Sequence, residues 1–67
     1  MKTDVSSAFA RCFSSDDGAV VMAHLRGVTV ERALGADASV AMLRHLEGQR
    51  QLVGYMARMA KIGRGDE

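Results

Sequence analysis

Cys12, His24 and His45 are the only cysteine and histidine side chains of this sequence. Each falls on a different segment, without the paired spacing that zinc sites use, so no metal centre is expected. Cys12 shares a stripe with Phe9 and Phe13 and reads as a core cysteine, whose burial would keep its thiol protonated and inert. Asp16 and Asp17 could flank a cation or share acid–base work. Placed directly after Ser14 and Ser15, they read instead as the acidic first turn of a helix. No nucleophile, base and orienting group can be assigned together. The sequence also holds no Gly-rich phosphate loop, nucleophile elbow or HExxH-type motif. Neither enzymatic activity nor a cofactor is expected.

The other residues able to do chemistry are basic. Arg44, Arg58, Lys61 and Arg64 line up along the outside of a long helical pattern and, with Arg26 and Arg32, could touch phosphates. Glu47 interrupts that strip, and neither a recognition-helix signature nor interleaved aromatics accompany it. The strip therefore reads first as a solvated charged face, with phosphate contact as its alternative. The run Glu47-Gly48-Gln49-Arg50 is more unusual, because it sets polar residues where a simple helix would be apolar. Buried polar groups need partners, so His45 and Arg50 are expected to hydrogen-bond carbonyls at the end of the first helix or in the loop after Gly27.

The elements that must carry these residues follow from apolar spacing. Val5, Ala8, Phe9, Cys12 and Phe13 form one stripe, which predicts a helix over about 4–13. Ser15 then caps a second helix beginning near Asp16, with Val21 and Leu25 on its covered face and Gly27 as its stop. Val28 to Leu34 is ambiguous, since Val28 and Val30 suit extended chain while Thr29 could cap a helical turn; a short helical turn ending at Gly35 is favoured. Asp37 is the expected N-cap of a third helix running to about Ile62, with residues 63–67 and 1–3 frayed.

On that third helix Arg44, Glu47, Gln51, Gly54, Arg58 and Lys61 fall on one solvated strip. Apolar residues fill two flanks, Met42, Leu43, Leu46, Val53, Met56, Ala57 and Ala60 on one and Ala41, Leu52, Tyr55, Met59 and Ile62 on the other. Two short helices can cover one flank, which leaves the second, above all its C-terminal half, for self-association or docking. Gly48 is expected to face the covered side and admit a helix or a side chain such as Phe13, whereas Gly54 lies by the solvated strip. Fold class follows: an all-α, single-domain chain over 1–67, two short N-terminal helices packed on one long C-terminal helix.

Bulk properties narrow the setting. Sixty-seven residues bury only about 60% of their unfolded surface, which leaves a marginal core, and three aromatic residues leave much of the filling to five methionines. The net charge of +1 falls short of a dedicated nucleic-acid binder. One cysteine and no apolar leader or spanning run fit a cytoplasmic protein away from membranes.

Three groups of residues together resemble a family of very small bacteriophage and prophage proteins, the Bbp-nineteen-like phage domain. They are Phe9, Phe13, Ser15, Asp17 and Gly18; Val20, Val21, Leu25 and Arg26; and Glu47, Gly48, Gln49 and Arg50 followed by Leu52, Val53 and Tyr55. The likeness spans about residues 8 to 60. It implies a phage-derived helical structural or morphogenesis component encoded among virion genes, free in the cytoplasm or assembled into a phage-like particle. The implied partners are proteins, including further copies of the chain. A small nucleic-acid-binding accessory is the alternative. Within this family reading, Glu47 to Arg50 is either an internal lock, with Gln49 and Arg50 reaching the Ser14 to Gly18 loop and Arg50 paired to Asp16 or Asp17, or an exposed docking surface.

Overall fold

The computed structural model describes residues 4–65, and the expected fraying of 1–3 and of 66–67 lies outside them. Three helices follow in order: α1 over Val5–Phe13, α2 over Asp16–Val28 and α3 over Val40–Arg64. Asp4 opens α1. Its carboxylate accepts from the hydroxyls of Ser6 at 2.5 Å and Ser7 at 3.1 Å rather than from a backbone amide. Ser15 caps α2 by accepting from the Gly18 amide at 3.0 Å, with Asp16 and Asp17 in the first turn. The two-residue corner between α1 and α2 is so tight that a Cβ on Gly18 would lie 2.8 Å from the Phe13 Cα.

The end of α2 departs from expectation. Gly27 lies inside the helix, which continues to Val28, and Val28 to Leu34 forms no second helical turn of its own. Thr29 ends α2 instead of starting anything. Its hydroxyl donates to the Leu25 carbonyl at 2.6 Å while its backbone leaves the helical region. The Glu31 amide then donates back to Arg26, and the Arg32 amide to Thr29. Asp37 does not cap α3 either. A turn closed from the Ala38 amide to the Gly35 carbonyl uses up that segment, and Ser39, two residues later, accepts from the Met42 amide at 3.1 Å. At its other end α3 outruns the expected Ile62. Gly63 and Arg64 are helical rather than frayed, and Gly65, at φ 79°, supplies the left-handed cap.

Packing is thin and concentrated on one seam. Leu46, Val53 and Ala60 are the buried apolar residues of α3, one every seven residues, and Ala10 is their counterpart on α1. α1 lies against the C-terminal half of α3 through small groups. A Cβ on Gly63 would sit 1.9 Å from the Ser6 carbonyl oxygen and 2.8 Å from the Ala10 Cβ, so the two backbones nearly touch there. Phe9 stacks on Phe13 at 6.4 Å and meets Tyr55 edge-on at 6.0 Å, closing the other side of the contact. α2 buries only Gly18. Val21, expected on its covered face, is 49% exposed, and Met22 and Leu25 are half-buried in its place. Among the described residues the methionines do not form an interior, for Met22, Met56 and Met59 are half-buried and Met42 is half exposed.

Candidate docking face

Arg50 is the one member of the Glu47 to Arg50 run that reaches another element. Its Nε donates to the Thr29 carbonyl at 3.0 Å, and its terminal nitrogen donates to the Arg32 carbonyl. Thr29 is buried, and its carbonyl belongs to the C-terminal end of α2, where a cation also meets the negative end of the helix dipole. The loop after Gly27 is thus the segment Arg50 holds. Pairing of Arg50 to Asp16 or Asp17 does not occur; its ion-pair partner is Glu47, one turn back at 3.6 Å. Both of those side chains are partly solvated, so the pair contributes little.

The remainder of the run faces outward. Gln49 is exposed and bonds only to His45, 3.2 Å away on the same helix, so neither reaches the α1–α2 loop nor, for His45, a loop carbonyl. Gly48 is exposed too, with no group within 4 Å of where its Cβ would stand, and Gly54 is equally open. The expectation that Gly48 admits Phe13 or a packed helix fails because α1 docks further along, at Gly63.

Cys12 is exposed rather than part of the core. Ser6 and Ala10 take the buried positions of α1, and Cys12, two residues on from Ala10, falls on the opposite side of the helix. His24 and His45 are exposed on α2 and α3, and no group of three or more His, Cys, Asp or Glu side chains is assembled among the described residues. Arg44, Arg58, Lys61 and Arg64 are all exposed along α3, together with Glu47, Gln51 and Gly54. Arg26 is half-buried, lining with Lys61 and Arg64 a shallow groove of about 370 Å³ between α2 and α3.

The apolar surface left open lies mostly on α3. Leu52 is 61% exposed, Tyr55 43% and Ile62 41%, which is the second flank expected from the sequence. Its emphasis differs. The C-terminal half is partly covered, with Phe9 on Tyr55 and Met59 half-buried. The middle and N-terminal half stand open, and there Met42 and Leu43, placed on the covered flank by spacing alone, are also half exposed. A second groove of about 340 Å³ runs beside them, bounded by Leu34, Met42, His45, Leu46 and Gln49. The contact that spacing did not reveal is the small-residue one, Ser6 and Ala10 against Ala60 and Gly63. The sequence shows small residues at 6 and 10 and at 60 and 63, but not that these two pairs meet.

Against this geometry the comparison with known families is decisive. The model of the Bbp19-like phage protein family matches residues 9–64, from Phe9 through the last helical residue of α3. The chain belongs to that family. It is a phage-derived protein, and the match takes in α2, α3 and the greater part of α1. No curated protein and no solved structure matches the chain. Among the described residues, no helix is long and apolar enough to cross a membrane.

Proposed function

We propose that this protein is a non-enzymatic structural or morphogenesis component of a phage-like particle, working through helix-mediated contacts with other proteins in the cytoplasm or in the assembled particle. The observation that carries this reading is the open apolar stripe of α3. Leu52, Tyr55 and Ile62 stand 41–61% exposed on a chain whose buried apolar residues are Ala10, Leu46, Val53 and Ala60. A chain that leaves more large apolar side chains outside than inside gains by being covered. Family membership makes the chain phage-derived, and assembly of a particle is a setting in which helix-mediated contacts of this kind would be used. The test is localisation during induction of the phage or prophage: mass spectrometry of purified particles and of assembly intermediates should find the chain in one or the other. Its absence from both would overturn the reading.

A second reading rests on a separate observation, the exposed cations Arg44, Arg58, Lys61 and Arg64 on one helix. Residues 40–64 carry five basic side chains against Glu47 alone, although the whole chain is only +1. A nucleic-acid accessory would use that face. Titration of duplex DNA at two salt concentrations separates the readings, because phosphate contacts weaken steeply with salt. No binding at low salt removes the second.

A further inference from the structure

We infer that the open stripe of α3 is closed by α3 of a second copy running antiparallel, giving a two-fold symmetric dimer. The inference rests on the reading of α3 as a contact helix and names what covers it. Ala41, His45, Gly48, Leu52, Tyr55, Met59 and Ile62 follow one another at alternating steps of four and three residues, the spacing of a coiled-coil seam. The seam that packs inside the chain, through Leu46, Val53 and Ala60, is offset from it by one residue. A helix bearing two adjacent seams can touch a neighbour on each; within the chain the second is covered only in part, by Phe9 against Tyr55 with Met59 half-buried, and Leu52 is left 61% exposed.

Four observations support a second copy as the other neighbour, three of them an antiparallel one. The first is complementary size about the middle of the stripe. Antiparallel pairing centred between Val53 and Gly54 sets Leu52 against Tyr55, Gly48 against Met59 and His45 against Ile62. Gly48, where a Cβ would meet no other group within 4 Å in the single chain, then receives the long Met59 side chain. The second is the groove beside Met42 and His45. In the antiparallel arrangement the C-terminal half of the second α3, with α1 seated on it at Gly63, lies next to that groove. Val5, 56% exposed on α1, is the side chain placed to enter it. The same antiparallel pairing brings Glu47, the sole acid of residues 40–64, near Arg58 of the other copy, whereas parallel pairing keeps the basic C-terminal halves together.

The fourth observation, which bears on a second copy in either polarity, is area. The chain exposes 5013 Å² at 7.2 kDa, where a compact monomer of that mass exposes about 4,100 Å². The excess, roughly 900 Å², matches the ~800 Å² that each partner contributes to a stable interface. One isologous contact would therefore return the chain to the exposure of an ordinary globular protein.

Sedimentation and light scattering of the purified chain test this. The expected mass is twice 7.2 kDa at high micromolar concentration. Leu52→Glu should raise the dissociation constant on the order of a hundredfold or more, since it would bury an unpaired charge. Its helical circular dichroism should stay unchanged, because Leu52 is 61% exposed in the single chain. Val20→Glu, at a 68% exposed site on α2, should leave the dimer intact. Polarity is read by mixing Gly48→Cys with Met59→Cys, both with Cys12→Ser: antiparallel pairing forms the mixed disulfide first. A monomer at all concentrations, or disulfides only between like variants, overturns the inference. A monomeric chain that is nonetheless found in particles would spare the proposed function, and a dimer absent from particles would do the reverse.

Discussion

Arg50 shows what one side chain does in a fold with little interior. Two carbonyls of the segment after α2 accept from it, which ties that segment to α3 beside the half-buried Leu34. Hydrogen bonds to a charged donor contribute about 1.5–3 kcal/mol when well shielded. The Arg50 side chain is 36% exposed, so Arg50→Ala should lower stability by about 1–2 kcal/mol and the melting temperature by several degrees. Arg50→Lys should recover only part of it, because an ammonium cannot fork between carbonyls three residues apart. Asp16→Asn, by contrast, should leave the Arg50 contact intact; a loss equal to that of Arg50→Ala would argue for the Asp16 pairing the structure lacks. Asp4 offers a pH test. The Ser6 hydroxyl, and after it Ser7, holds its carboxyl below the ordinary value of 3.8. A carboxyl depressed in the folded state contributes stability that is present above that ordinary value and lost as pH falls through the lowered one. Acid melting curves of the native chain and Asp4→Asn should therefore converge at the acid end and separate above pH 4.

At the scale of elements, glycines divide into those enclosed by backbone and those left open, and the sequence does not distinguish them. Gly63→Ala would drive a Cβ into the Ser6 carbonyl, a backbone atom that cannot swing aside. Separating α1 from α3 should cost about 1–3 kcal/mol, and Gly18→Ala should behave alike at the α1–α2 corner. Gly54→Ala, with open space around it, should instead stabilise the helix by up to about 1 kcal/mol; denaturant melts of the three variants would show the split. The same contrast explains what was legible. Helix α1, the Ser15 cap and the start of α2 followed from local chemistry, since apolar spacing and a hydroxyl before two carboxylates need no tertiary information. The solvated strip of α3 was also readable from period, and a buried donor's need for carbonyls narrowed Arg50 to the end of the first helix or the loop after Gly27, of which the structure takes the second. Cys12, Gly48 and Gly63 were not. Their surroundings depend on where along α3 the short α1 comes to rest, and the near-contact at Gly63 sets that position. Ser39 took the cap from Asp37 for a related reason, because a turn at Gly35 to Ala38 needed the intervening residues.

For the whole molecule, the controlling fact is elongation. The radius of gyration is 14.3 Å, against about 11 Å for a compact chain of this length, because α3 extends past both partners. Stability must then be uneven along the chain. The centre of α3 is anchored by Leu46, Val53 and Ala60, α1 by Ala10 and the close approach at Gly63, and α2 by Gly18, its cap and the Arg50 contact. Regions with few buried apolar contacts open at low free energy, independently of global unfolding. Native-state hydrogen exchange should consequently be slowest for amides between Leu46 and Ala60, intermediate in α1 and fastest in α2 and in residues 30–38. Arg50→Ala should accelerate α2 and that segment first, leaving the centre of α3 to follow only by the global loss. Uniform protection across all three helices would mean that α2 is held by more than its cap, its corner and one arginine.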